Sequence, residues 1–267
     1  MSWIFDAIHA INPLYSLSGF FVGCLVGFTG VGGGSLMTPL LVLVFGVAPT
    51  TAVGTDLLYA AITKSNGTLV HAMNGTIDWR VTRLLASGSV PATLGTLATL
   101  SWLGQSNSHA ANGLITSALG VALLLTAAAI LFRRLILDHI ARHTDQLSQR
   151  RIDWLTIILG AFLGVLVSIS SVGAGAIGMT VLMALYSRLP TVRLVGSDIA
   201  HAVPLTFVAG LGYWMMGEVN WPLLVALLIG SLPGIAIGSH LAARVPDRFL
   251  RPALATMLAV VGAKLSL

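Results

Sequence analysis

Thr29-Gly30-Val31-Gly32-Gly33-Gly34 separates two short apolar runs, 14–29 and 35–47, and Ser171-Val172-Gly173-Ala174-Gly175 separates another two, 154–170 and 175–187. A helix needs about 20 residues to cross a bilayer. All four runs fall short of that, and each pair is joined by a segment whose glycines let the backbone leave a helix. Outward from these breaks lie the runs 52–71, 81–102, 111–132, 194–215, 221–241 and 252–267. Helix is predicted for every run, because backbone polar groups in hydrocarbon must be satisfied within the segment.

Composition leads to the same class. The 267 residues are 56% hydrophobic and 9% charged, whereas soluble domains carry roughly 25% charged residues. Lipid accepts apolar side chains that water would not. The net charge of +5 sits in short loops between apolar runs, where it sets orientation, and no nucleic acid is expected. The single cysteine, Cys24, excludes an internal disulfide and any multi-cysteine metal site. Met1 to Ile11 holds no Lys or Arg, so no secretory signal is predicted and the whole chain is taken as mature.

Basic residues assign the loops to sides. Loop 133–153 carries Arg133, Arg134, Arg142, Arg150 and Arg151 and is placed in the cytoplasm. Counting crossings outward, loops 72–83, 188–193 and 242–251 fall on the same side. Every Lys and Arg then lies inside except Lys64, within a membrane segment, and Lys264, near the C-terminus. Both termini are predicted outside, and 14–47 and 154–187 become hairpins turning at their glycine breaks.

The two halves repeat. Val31 to Gly34 matches Val172 to Gly175, and Pro49 matches Pro190. One residue later in register, Val53-Gly54-Thr55-Asp56 matches Val195-Gly196-Ser197-Asp198, Gly75 to Trp79 matches Gly217 to Trp221, and Gly88-Ser89-Val90-Pro91 matches Gly230-Ser231-Leu232-Pro233. A hairpin plus three crossings is an odd count, so the second copy is predicted to be inverted. The fold class is therefore an all-α polytopic membrane protein of two inverted repeats. Residues 1–132 form the first, 133–153 a basic linker, and 154–267 the second. Glycine-broken short segments at matching positions of inverted repeats point to a transporter's binding site.

Several residues are candidates for chemistry. Gly32, Gly33, Gly34 and Ser35 in the first break, with Gly173, Ala174 and Gly175 in the second, would offer N–H groups at a positive helix end to an anion. Thr38 and Thr180 could add hydroxyls. The alternative is tight helix packing by small residues. Asp56 and Asp198 each open a long run. Either they cap its first turn, or they form a symmetric pair of carboxylates on the pathway. Lys64 lies near the middle of 52–71, and Thr206 stands at its counterpart. A lysine there is a functional candidate by default, against which stands snorkelling or a structural ion pair. Asn66, His71 and His201 are polar companions, each explicable by interhelical hydrogen bonding. Trp79 and Trp221 suit anchoring at the membrane interface.

Gly27-Phe28-Thr29-Gly30-Val31-Gly32-Gly33-Gly34, Pro39 and Val53-Gly54-Thr55-Asp56, with the reduced second copy ending in Gly196-Ser197-Asp198, resemble the sulfite exporter TauE/SafE family. The resemblance covers nearly the whole chain. It implies a plasma-membrane permease for small sulfur-containing anions. Ala174 stands where the first copy has Gly33, so an equal part for both hairpins in contacting substrate does not follow from the resemblance.

The expectation is a secondary transporter in the plasma (inner) membrane, carrying sulfite, thiosulfate or an organosulfonate by alternating access. Its expected partners are the anion, the lipid bilayer, a coupled proton and a second copy in a homodimer. No catalysis, metal or cofactor is called for. One rival is a cation/proton antiporter built on Asp56 and Asp198. Another is an intramembrane hydrolase using Ser35 with His71 or His201.

Overall fold

The computed structural model describes residues 13–29, 34–106, 108–133, 137, 148–172, 174–242 and 247–266. Gly32, Gly33, Gly173 and most of the linker 133–153 lie outside them. The described residues form helices α1 (Pro13–Thr29), α2 (Gly34–Leu43), α3 (Pro49–Met73), α4 (Trp79–Ser106), α5 (Ser108–Leu131) and α6 (Gln149–Ser170). A short π-helical segment (Ala174–Gly178) then leads into α7 (Met179–Leu185), α8 (Thr191–Met215), α9 (Trp221–Ala242) and α10 (Asp247–Ser266). No strand occurs among the described residues.

Among the described residues, five helices are long and apolar enough to cross a membrane: 79–103, 112–131, 149–170, 191–215 and 221–238. Large apolar side chains also point outward, among them Phe21, Trp102, Ile158 and Phe207. An outer surface this apolar suits lipid rather than water. The chain is a multi-pass membrane protein.

The helix ends correct the run boundaries. The expected short run 154–170 belongs to a 22-residue helix, because Gln149-Arg150-Arg151 and Asp153 extend it at its N-terminus. Charge ends a hydrophobic run but does not end a helix. The two breaks are thus unequal partners of their arms. α2 has 10 residues, about 15 Å of helix, whereas α6 is long enough to cross on its own. The α6 end is closed by Ser171 at φ 58°, whose N–H donates to the Val167 carbonyl.

Packing runs across the halves. α3 lies against α8, and α5 against α10, each helix meeting its own counterpart in the other repeat. α1 lies along α9, and α4 along α6, which are counterpart pairings with the repeats exchanged. The matched glycines account for these contacts. A Cβ at Gly88 would collide with the Ile157 carbonyl, and one at its counterpart Gly230 with the Ser16 carbonyl. Ile157 and Ser16 are themselves one repeat apart. The loops obey the same rule. Asp78 accepts the N–H groups of Arg80 and Val81, at 3.1 and 3.3 Å, at the start of α4. Asn220 accepts that of Leu223, at 3.0 Å, at the start of α9. The two caps are held in turn from across the molecule, Asp78 N–H by the Ser197 hydroxyl at 2.8 Å and Asn220 N–H by the Thr55 hydroxyl at 3.1 Å.

Candidate functional site

Asp56 and Asp198 are each the eighth residue of a helix, α3 and α8. Both helices begin at or just after a proline, Pro49 and Pro190, whose fixed φ suits a helix start. The capping alternative for the two carboxylates therefore falls away, since each lies two turns inside its helix. Both are buried.

Their surroundings differ. Asp56 accepts a 2.5 Å hydrogen bond from the Thr38 hydroxyl of α2. Ser171, at the second break, stands beside Asp56 without hydrogen-bonding to it. Asp198 has an oxygen, Oδ1, with no hydrogen-bond partner. Gly178 lies next to that oxygen, and a Cβ there would sit 3.1 Å from it and 3.0 Å from Leu163 Cδ1. The α2–α3 contact thus fixes the first carboxylate, and Gly178, having no side chain, lets the backbone before α7 approach the second closely.

Lys64 is half-buried on α3. It lies within electrostatic range of both carboxylates. Asp56, Lys64, Asp198 and His201 therefore form one charged and polar group where α3 packs on α8. His201 is fully buried, with Nε2 2.9 Å from the Ser89 hydroxyl of α4 and Nδ1 unpartnered. Its counterpart in the repeat is Tyr59. Ser231, the counterpart of Ser89, stands beside Tyr59 in the same way, although neither hydroxyl makes a hydrogen bond. An unsatisfied buried polar group costs about 1–3 kcal/mol. Asp56 Oδ1, Tyr59, Ser171, Asp198, His201 and Ser231 all contribute such atoms here. Buried, unsatisfied polar groups of this kind call for a functional or ligand-linked explanation.

The other candidates fare differently. Gly34 opens α2, Ser35 follows it, and Ala174 and Gly175 open the π-helical segment. Thr180 does not face a ligand with its proton, because its hydroxyl donates to the Ala176 carbonyl at 2.7 Å. His71 Nδ1 is 2.8 Å from the Thr76 hydroxyl at the end of α3, and Asn66 is exposed. Neither contributes to the buried group. The side chain of Ser35, proposed as a nucleophile with His71 or His201, lies outside the described residues, and His201 is engaged with Ser89. Ser89, Tyr59, Ser171 and Ser231 escaped the sequence reading. Hydroxyls are common in membrane helices, and the only signal was the matched Gly-Ser-x-Pro of the two repeats.

The comparisons with known proteins agree with a membrane carrier. The family model described as "Sulfite exporter TauE/SafE" matches residues 15–265. The "Probable membrane transporter protein YjnA" of Bacillus subtilis is 39% identical over 253 residues, covering 93% of this chain and 97% of that protein. A second protein of that organism, "Probable membrane transporter protein YdhB", is 29% identical over 91% of this chain and 95% of its own length. A "Probable membrane transporter protein" of Methanocaldococcus jannaschii is 26% identical over 94% and 93%. No solved structure matches the chain. With the glycine breaks, the repeated Gly-Thr/Ser-Asp and the full-length match all in register, the chain belongs to the sulfite exporter TauE/SafE family of membrane transporters.

Proposed function

We propose that this chain is a secondary carrier of a small sulfur-containing anion, with sulfite, thiosulfate and organosulfonates as the candidates, working by alternating access between inverted repeats. The observation that carries it is the convergence of Lys64 with two buried carboxylates between α3 and α8. Lys64 supplies the one positive charge of that group, and the broken-helix starts at Gly34 and Ala174 supply N–H donors. Matched contacts between counterpart residues support two related halves that rock against each other. Arginine placement supports an inner-membrane orientation with loop 133–153 in the cytoplasm and both termini outside.

Charge arithmetic adds proton coupling. Fully ionised, Asp56, Asp198 and Lys64 sum to one negative charge, which repels an anion. Protonation of one carboxylate brings the group to neutrality, and protonation of both makes it attractive. Anion and proton would then travel together, with His201 and Ser89 as a polar route beside Asp198. Uptake of labelled sulfite, thiosulfate and taurine into vesicles holding the purified protein, with and without an imposed pH gradient, tests this. Absence of both transport and binding for all three anions ends the substrate assignment.

The same negative sum favours a second function, cation/proton antiport. The two separate on Lys64. An anion carrier loses transport in Lys64→Ala, whereas an antiporter loses it in Asp56→Asn and Asp198→Asn and tolerates Lys64→Ala.

A further inference from the structure

Four buried oxygens gather around the first acid. Asp56 Oδ1 and the hydroxyls of Tyr59, Ser171 and Ser231 all lack a hydrogen-bond partner. Asp56, Tyr59 and Ser231 are fully buried, and Ser171 is 6% exposed. Three elements supply them. Asp56 and Tyr59 are three residues apart on α3 and so share a face. Ser171 stands beside Asp56 from the end of α6, and Ser231 stands beside Tyr59 from α9. Buried oxygens left without donors in this number call for a ligand.

A helix end adds to the set. Ser171 closes α6, a helix of 22 residues, so Asp56 stands at the negative end of its dipole. That end favours a cation, and the broken helices of transporters use their C-terminal ends in this way.

Charge and donor type select the cation. Lys64 offsets one of the two carboxylates in its range, which leaves one negative charge. One monovalent cation balances that charge, and a divalent cation overshoots it. The donors are all oxygens, which suit a hard ion. Among the described residues no three His, Cys, Asp or Glu side chains gather as a transition metal would require.

The second acid lacks this environment. The counterparts of Thr38, Tyr59 and Ser171 in the repeat are Met179, His201 and Gly30. The hydroxyl of Ser89, counterpart of Ser231, is retained but lies 2.9 Å from His201 Nε2. Helix packing accounts for small residues at matched positions. It does not account for a set of oxygens at only one of them.

We propose that Asp56 Oδ1 and the hydroxyls of Tyr59, Ser171 and Ser231 bind a sodium ion. The Thr38 hydroxyl, donating to Asp56 Oδ2 at 2.5 Å, holds the carboxylate in place for it. Bound sodium brings the group around Lys64 to neutrality while Asp198 is still ionised. Protonation of Asp198 then makes the group attractive to an anion. That consequence rests on the proposed anion carriage, whereas sodium binding does not.

Thermal unfolding of the purified full-length protein in detergent tests the site. Sodium chloride is compared with choline chloride at equal ionic strength, with no sulfur anion present. Sodium at about ten times its dissociation constant is expected to raise the midpoint by roughly 4 °C. Asp56→Asn is expected to abolish the rise. Ser171→Gly removes a hydroxyl at φ 58°, a conformation glycine accepts, and carries the test if Asp56→Asn does not fold. It is expected to raise the sodium concentration at half-effect roughly tenfold, the scale of one lost contact to a charge. No rise in the wild type, or an undiminished response in either folded variant, overturns the proposal. Anion uptake by vesicles is measured on the same preparation. Uptake without a sodium rise removes the site and spares the carrier, and a sodium rise without uptake keeps the site and removes the carrier.

Discussion

Asp56 and Asp198 occupy the same position of the same motif, yet the protein treats them differently. The first is tied by Thr38 and is fully buried. The second accepts no hydrogen bond among those described, and its Oδ1 lies beside Gly178. The repeated motif places two equal carboxylates, and their neighbours set them apart. A hydrogen-bonded acid held from another helix resists change in geometry. An acid held by no such donor is freer to change its protonation or its contacts. Asymmetry between symmetric positions is therefore where function should be sought in this molecule.

The largest expected effect tests that division directly. Asp198→Asn should lower transport about a hundredfold, the scale of losing an interaction with a charged group, while the unfolding temperature changes little. Vesicle uptake and thermal unfolding on the same preparation check it. Wild-type transport in Asp198→Asn would erase the proposed difference between the two acids.

Next come the positions where the halves should behave alike. A Cβ at Gly54 would strike the Glu218 carbonyl, and one at Gly196 would strike the Thr76 carbonyl, its counterpart. Gly54→Ala and Gly196→Ala should each destabilise by roughly 3 kcal/mol, at the upper end for overpacking against rigid neighbours. Comparable losses in thermal unfolding support the two-fold relation of the halves. A normal Gly196→Ala beside a crippled Gly54→Ala would break it.

Thr38→Val should cost about 2 kcal/mol, because it leaves the Asp56 carboxylate without its donor. Nothing comparable is expected of Thr180→Val, whose hydroxyl serves only its own helix. The smallest effect belongs to Ser89→Ala, at about 1 kcal/mol for the His201 bond. Under proton-coupled transport, its effect on the pH dependence of uptake should exceed its effect on stability.

Much of the architecture was readable in advance because its signals are local. Hydropathy located the apolar runs, and the described helices cover them with ends shifted by a few residues. Gly-Thr-Asp and Gly-Ser-Asp pointed to α3 and α8 before either had a partner. The misjudged segment was 154–170, where the charged turn at Gln149 to Asp153 hid the first part of α6. The capping alternative for the aspartates failed for a related reason. Pro49 and Pro190 mark the helix starts, and the polar turns after them, Thr50-Thr51 and Thr191 to Arg193, kept the first turn of each helix out of the apolar runs.

Taken alone, the sequence determined that this is a membrane protein of glycine-broken, repeated helices, and it named Asp56, Lys64 and Asp198 as residues to watch. Composition, run length and spacing carry that information, and each is a property of neighbours along the chain. Only the tertiary structure decided that α3 packs on α8, that Thr38 takes Asp56 while Gly178 packs against Asp198, and that His201 meets Ser89. Those contacts join residues 18, 20 and 112 positions apart. A helical period states which face a residue occupies, but only packing states what that face meets.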